Sequence, residues 1–133
     1  RSENVEIIKK FYNKKIILID RFTDSTIAYQ HYGMGVNLNL IETLNKYLLK
    51  NIKVGFTFLN IVNQKNLQKR LKQRRSLNRY DKFKMSFYNN VQKGFIHLSQ
   101  QQKNKYQLIN SNLEIDKNEK LIISKIDRLI KWI

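Results

Sequence analysis

Apolar residues along the chain follow two rhythms, and the rhythms alternate. Residues 3–12 carry Val5, Ile7, Ile8 and Phe11 at mixed helical spacing, the end of a helix. Residues 14–20 hold the unbroken run Ile16-Ile17-Leu18-Ile19, closed by Asp20, which suits a strand buried on both faces of a parallel sheet. Leu38, Ile41, Leu44 and Leu48 return to helical spacing over 37–50, with Asn37 placed to cap the helix. Residues 53–62, KVGFTFLNIV, predict a second buried strand. Residues 63–75 predict a basic helix with Leu67 and Leu71 on one face, and 76–84 a loop. Phe83, Phe87, Val91 and Phe95 recur every four residues, as on a helix packed against a core. Residues 105–110 predict a third short strand. The last helix runs from about Asn118 to Trp132 with Leu121, Ile122, Ile126, Leu129 and Ile130 inward. Strands alternating with helices predict one α/β domain over residues 1–133, built on a parallel sheet.

Composition narrows the chemistry. The chain has no cysteine, which removes disulfides and thiolate metal sites. Two histidines, His31 and His97, make a histidine-based metal centre a poor candidate. No apolar run approaches the roughly 20 residues of a membrane span, so a cytoplasmic protein without a membrane partner is expected. The net charge of +16 points towards polyanionic partners. Abundant Lys, Asn, Ile, Tyr and Phe beside four Gly and no Pro is also what AT-rich codons produce, so part of that charge is expected to be solvated surface.

The run at 16–19 ends in Asp20-Arg21. In open parallel sheets ligands bind outside the carboxyl ends of strands. An arginine there can clamp phosphate oxygens with two parallel hydrogen bonds, and an aspartate can hold Mg²⁺ directly or through water. A surface ion pair or a helix cap explains most Asp-Arg dipeptides.

The following residues are more specific. Asp20-Arg21-Phe22-x-x-Ser25-x-x-Ala28-Tyr29-Gln30, with Gly33 and Gly35 beyond, resembles the signature of the thymidylate kinase family. Arg1-Ser2-Glu3-Asn4-Val5 resembles that family's Arg-x-Glu-x-Val/Ile. Residues 69–83, KRLKQRRSLNRYDKF, resemble its arginine-rich lid, placed here at about 70–83. The resemblance implies a P-loop NTPase-type parallel sheet flanked by helices, like the nucleoside monophosphate kinases, and ATP-dependent phosphorylation of dTMP to dTDP for dTTP synthesis. It implies Mg²⁺ as cofactor and a homodimer, with no specific nucleic-acid partner.

Site roles follow from the same resemblance. Arg1, Arg21, Thr26, Tyr29 and Gln30 would bind dTMP, with Arg1 on the base, Tyr29 beside the sugar and Arg21 bridging acceptor and donor phosphates. Asp20 would lie by the metal. Arg70, Arg74, Arg75 and Arg79 are the lid candidates towards ATP, and Arg74 and Arg79 join Arg21 as catalytic candidates. Departures from the family pattern are Val54-Gly55 for Pro-Asp, Met34 between the glycines, and Asn78 and Asp81 for the Asp and Glu around Arg79.

The Walker A loop, Gly-x-x-x-x-Gly-Lys-Ser/Thr, which holds donor phosphates, does not occur in the 133 residues. The family carries it on a preceding strand, and the opening on Arg1 leads to the expectation that these are the C-terminal part of such a domain. That strand lies between those expected at 15–20 and 54–61. Residues 1–133 alone are then expected to be marginally stable and unable to transfer phosphate. A related nucleotide kinase, a degenerate or split kinase, and a non-catalytic basic nucleic-acid-binding protein resting on KRLKQRR are the alternatives.

Overall fold

Helix signals carried by several residues at once became helices. In the computed structural model, residues 2–73 and 83–131 are described. Helix α1 spans Ser2–Phe11 and buries Val5 and Ile8. Helix α3 spans Leu38–Leu49, and the Asn37 side chain accepts a hydrogen bond from the Leu40 amide at 3.1 Å, satisfying one orphan donor of the first turn. Asn63 repeats the device for α4, Gln64–Lys72, accepting from Asn66 N at 2.8 Å. Helix α5 spans Met85–Gln101, and α6 spans Ile115–Ile130.

Between α1 and α3 lies a short helix α2, Thr23–Thr26, which passes directly into a π-helical stretch, Ile27–Gly33. The apolar rhythm assigns no element to these residues. Their helical winding follows from packing: Ala28 is fully buried and joins Phe87 and Val91 of α5 in the core cluster, with Tyr29, Tyr88 and Phe95 packed around it. Two glycines permit the contact. A Cβ at Gly33 would stand 2.5 Å from a Phe87 ring carbon, and one at Gly94 would stand 2.6 Å from the Tyr32 ring.

The sheet is parallel, and among the described residues it has two strands. Strand β1, Thr57–Ile61, pairs with β2, Tyr106–Asn110, in a register that sets Thr57 opposite Tyr106 and Ile61 opposite Asn110. Leu59 and Ile109 supply its buried side chains. Strand β1 is shorter than the 53–62 expected, and β2 follows the expected 105–110 closely.

Three expectations need correction. The run Ile16–Ile19 is not a strand: no described element forms a ladder with it, and Ile16, Leu18 and Ile19 are exposed. Apolar content makes a strand only when a neighbour supplies hydrogen bonds and cover. Helix α6 begins three residues before Asn118, and Leu121 and Ile130 face solvent, leaving Ile122, Ile126 and Leu129 half-buried. Phe83 precedes α5 rather than lying on it, yet its ring stacks on Phe87 at 4.3 Å. No described helix is long and apolar enough to cross a membrane.

Candidate functional site

The site is built on the turn between the 16–19 run and α2. Arg21 has φ 61°, a left-handed conformation that costs a non-glycine residue energy and recurs at functional sites. The turn leaves Asp20 and Arg21 exposed. The Arg21 guanidinium carbon stands 5.3 Å from the centroid of the Tyr29 ring, within cation–π range. Arg21 and Tyr29, eight residues apart in sequence, are thus brought together.

Tyr29 is in turn fixed from beneath. Its ring meets Phe87 edge to face at 5.9 Å and Phe95 at 6.3 Å. Thr26 ends α2 and is half-buried, as is Gln30 one residue beyond Tyr29. The end of the π-helical stretch is closed by backbone bonds, Gly35 N to His31 O at 2.8 Å and Val36 N to Gln30 O at 2.9 Å. Gly35 takes φ 77°, which glycine allows without a Cβ penalty. His31 Nδ1 lies 2.9 Å from the Val36 carbonyl oxygen and donates to it, which orients that ring towards its own turn.

One contact at this site had no sequence signal. The Tyr106 hydroxyl, at the start of β2, donates to Asp24 of α2 across 82 positions. Burial first, and then the Asp24 carboxylate, hold the Tyr106 hydroxyl well above the ordinary tyrosine range. Asp24 stands inside the stretch that carries the family resemblance, but nothing in a single sequence links it to Tyr106.

The lid candidates fare differently. Arg70, on the last turn of α4, donates from Nη2 to the Ser111 carbonyl oxygen at 2.6 Å. It therefore ties α4 to the loop after β2. Asn112 reinforces the tie, its side-chain oxygen accepting from the Asn63 amide and from Asn66 Nδ2, each at 3.0 Å. Arg1, Arg74, Arg75 and Arg79 lie outside the described residues, as does most of the lid.

Among the described residues no three His, Asp or Glu side chains gather as a metal-binding group. Asp20 is a single exposed carboxylate at the turn. That suits a cation held mainly by phosphate and water, since Mg²⁺ commonly takes only one or two carboxylates from protein.

A parallel α/β scaffold with an arginine strained into a turn beyond an apolar run defines a candidate phosphate-binding protein. Comparison with known proteins makes the class specific. The thymidylate kinase family profile matches residues 1–122. A thymidylate kinase from the Wolbachia endosymbiont of Brugia malayi is 31% identical over 131 residues, covering 97% of this chain and 62% of the relative. The thymidylate kinase of Wolbachia pipientis wMel is 38% identical over 61% of this chain and 39% of its own length. The crystal structure of thymidylate kinase from Ehrlichia chaffeensis superposes with a TM-score of 0.63 at 26% identity, over 96% of this chain and 60% of that one. The chain belongs to the thymidylate kinase family. It spans about three fifths of the length of the first of these relatives and of the solved structure.

Proposed function

We propose that this chain forms the acceptor-nucleotide side of a thymidylate kinase, which transfers the γ-phosphoryl group of ATP to dTMP and yields dTDP and ADP on the route to dTTP. The observation that carries the reading is the Arg21 turn, a strained arginine stacked on Tyr29 within the residues that match the family. In this reaction an oxygen of the dTMP phosphate bonds to the γ-phosphorus, and the bond from that phosphorus to the β–γ bridging oxygen breaks. The electron pair leaves with ADP. Such transfers depend on positioning and positive charge more than on covalent chemistry.

Arg21 supplies that charge between acceptor and donor phosphates. Tyr29, Gln30 and Thr26 line the nucleoside pocket, and Arg1 reads the base. Asp20 would hold Mg²⁺ through water. When bound, that ion would neutralise charge on the phosphate oxygens. Arg74 and Arg79 are the lid arginines that close on ATP, with Arg75 beside them, and Arg70 anchors the base of that segment through Ser111. Residues 1–133 make one domain with its lid near 70–83, in a cytoplasmic enzyme.

The enzyme is a homodimer in this reading. Leu40, Leu44 and Tyr47 on α3 are exposed at spacings of four and three residues, so they form one apolar stripe that a second copy can cover.

The test is direct binding of dTMP to the chain, followed by a steady-state assay for ADP and dTDP. Binding of dTMP that Arg21→Gln weakens at least tenfold is expected. Equal binding of dTMP by both proteins overturns the reading. A polypeptide of residues 1–133 alone should show no turnover, because it contains no Walker A loop.

A further inference from the structure

We propose that Tyr29 is a positioning residue for Arg21: its ring face holds the guanidinium in place for a phosphate group before any nucleotide arrives. The inference rests on the phosphate-binding reading of the Arg21 turn given above and adds a separate role for the tyrosine.

Four observations converge. The backbone at Arg21 is left-handed, so the direction in which the side chain leaves the turn is set by strain. The guanidinium carbon then stands 5.3 Å from the Tyr29 ring centroid. Among the described residues no carboxylate pairs with Arg21. The ring itself is packed against the core. Phe87 and Phe95 hold it edge to face, and the neighbouring Ala28 is fully buried in the α5 contact.

The physical logic is preorganisation. An exposed arginine side chain is rich in rotamers, and a ligand that needs it in one place must supply the ordering entropy. A ring quadrupole beneath the guanidinium restricts those rotamers while leaving the N–H fork free to donate. A tyrosine that only touched the sugar of a nucleotide would need no such contact with Arg21.

The two roles separate on a ligand without sugar or base. Inorganic pyrophosphate offers only phosphate oxygens. The chain of 133 residues contains no Walker A loop to bind it elsewhere. Pyrophosphate and dTMP affinities would be measured by calorimetry on the wild type, on Tyr29→Phe, and on proteins carrying phenylalanines of increasing fluorination at position 29. Fluorination weakens the ring quadrupole and nearly keeps the ring's shape, and its effect on the edge-to-face contacts with Phe87 and Phe95 is common to proteins with and without Arg21. A parallel series would carry Arg21→Gln.

Pyrophosphate affinity is compared within the series, with Tyr29→Phe as the unfluorinated reference. Full fluorination should weaken it by about two- to five-fold, the size of an exposed cation–π contact. In the Arg21→Gln series the same fluorination should have no effect. Pyrophosphate affinity that ignores fluorination while dTMP affinity falls would overturn the proposal and leave Tyr29 as a nucleoside contact only. Fluorination effects of equal size with and without Arg21 would also overturn it. A chain that binds neither ligand would overturn the phosphate-site reading itself, and this proposal with it.

Discussion

Two runs that both read as buried strands had different fates. Ile16-Ile17-Leu18-Ile19 and Thr57-Phe58-Leu59-Asn60-Ile61 both precede a polar turn, and both are expected as strands of one parallel sheet. The second is β1, hydrogen-bonded along its length to β2, with Leu59 only 8% exposed. The first has no regular secondary structure, is unpaired among the described residues, and leaves Leu18 83% exposed. The exposed run is the more apolar of the two, four aliphatic residues against a β1 that includes Thr57 and Asn60, so side-chain hydrophobicity does not explain their fates. The difference is the partner: a ladder satisfies backbone donors and acceptors and brings a second layer over the side chains. Strand identity here is a property of a pair of segments.

The sharpest way to break that contrast is to truncate one leucine from each run. Leu59→Ala should destabilise the chain by about 2–5 kcal/mol, through lost transfer energy and an unfilled cavity. Leu18→Ala should fall within about 0.5 kcal/mol of the wild type, as surface substitutions do. Urea denaturation followed by circular dichroism measures both. Equal losses would mean that the 16–19 run is covered in solution, and the comparison would fail.

A smaller effect tests what holds the unpaired run's turn to the sheet. Tyr106 of β2 donates to Asp24 of α2, just beyond Arg21. Tyr106→Phe should cost about 1–2 kcal/mol near neutral pH, because a partly buried carboxylate loses a donor. The pH dependence gives a second signature. The folded-state pKa of Tyr106 lies above the unfolded value, chiefly through burial and then through Asp24. The protonated hydroxyl therefore favours the fold. That contribution is complete below about pH 10, the ordinary tyrosine value, and is lost as pH rises beyond it. The wild type should lose stability above about pH 10 faster than Tyr106→Phe does. Parallel pH profiles for the two proteins would sever the link between α2 and β2.

Next in size is the close approach of α5 to the π-helical stretch. Gly94→Ala places a methyl 2.6 Å from the Tyr32 ring. Alanine gains helix propensity, but the clash with ring and Cβ atoms outweighs it, and a net loss of about 1–2 kcal/mol is expected. A stabilised variant would show that Tyr32 moves freely aside.

These cases explain which parts of the molecule could be read from sequence. Helix α3 was legible because capping is local, with Asn37 immediately before an apolar periodicity; α4 was legible from Leu67 and Leu71, and its Asn63 cap emerged only in the structure. The two paired strands were legible as short apolar runs, and the Asp20-Arg21 turn through the specific residues after it. The fate of 16–19 was illegible because it depends on what lies alongside. The π-helical winding at 27–33 was illegible because Gly33 and Gly94, far apart in sequence, jointly permit the contact that imposes it. Tyr29 was read as a sugar neighbour, but its stack with Arg21 needed coordinates.

The smallest effect expected completes the contrast, because it concerns a feature that needs no partner. Asn37 accepts from the Leu40 amide within its own turn. Asn37→Ala should cost about 1 kcal/mol, the usual value of a side-chain N-cap. The loss should appear as a lower urea midpoint with an unchanged slope, since little surface changes hands. It should also be insensitive to the 16–19 run: combined with Leu18→Ala, the two costs should add within about 0.5 kcal/mol. Local caps and partner-dependent strands would then stand as separable contributions. A marked departure from additivity would mean that the 16–19 run and α3 share contacts in solution, and that the run is less isolated than its exposure implies.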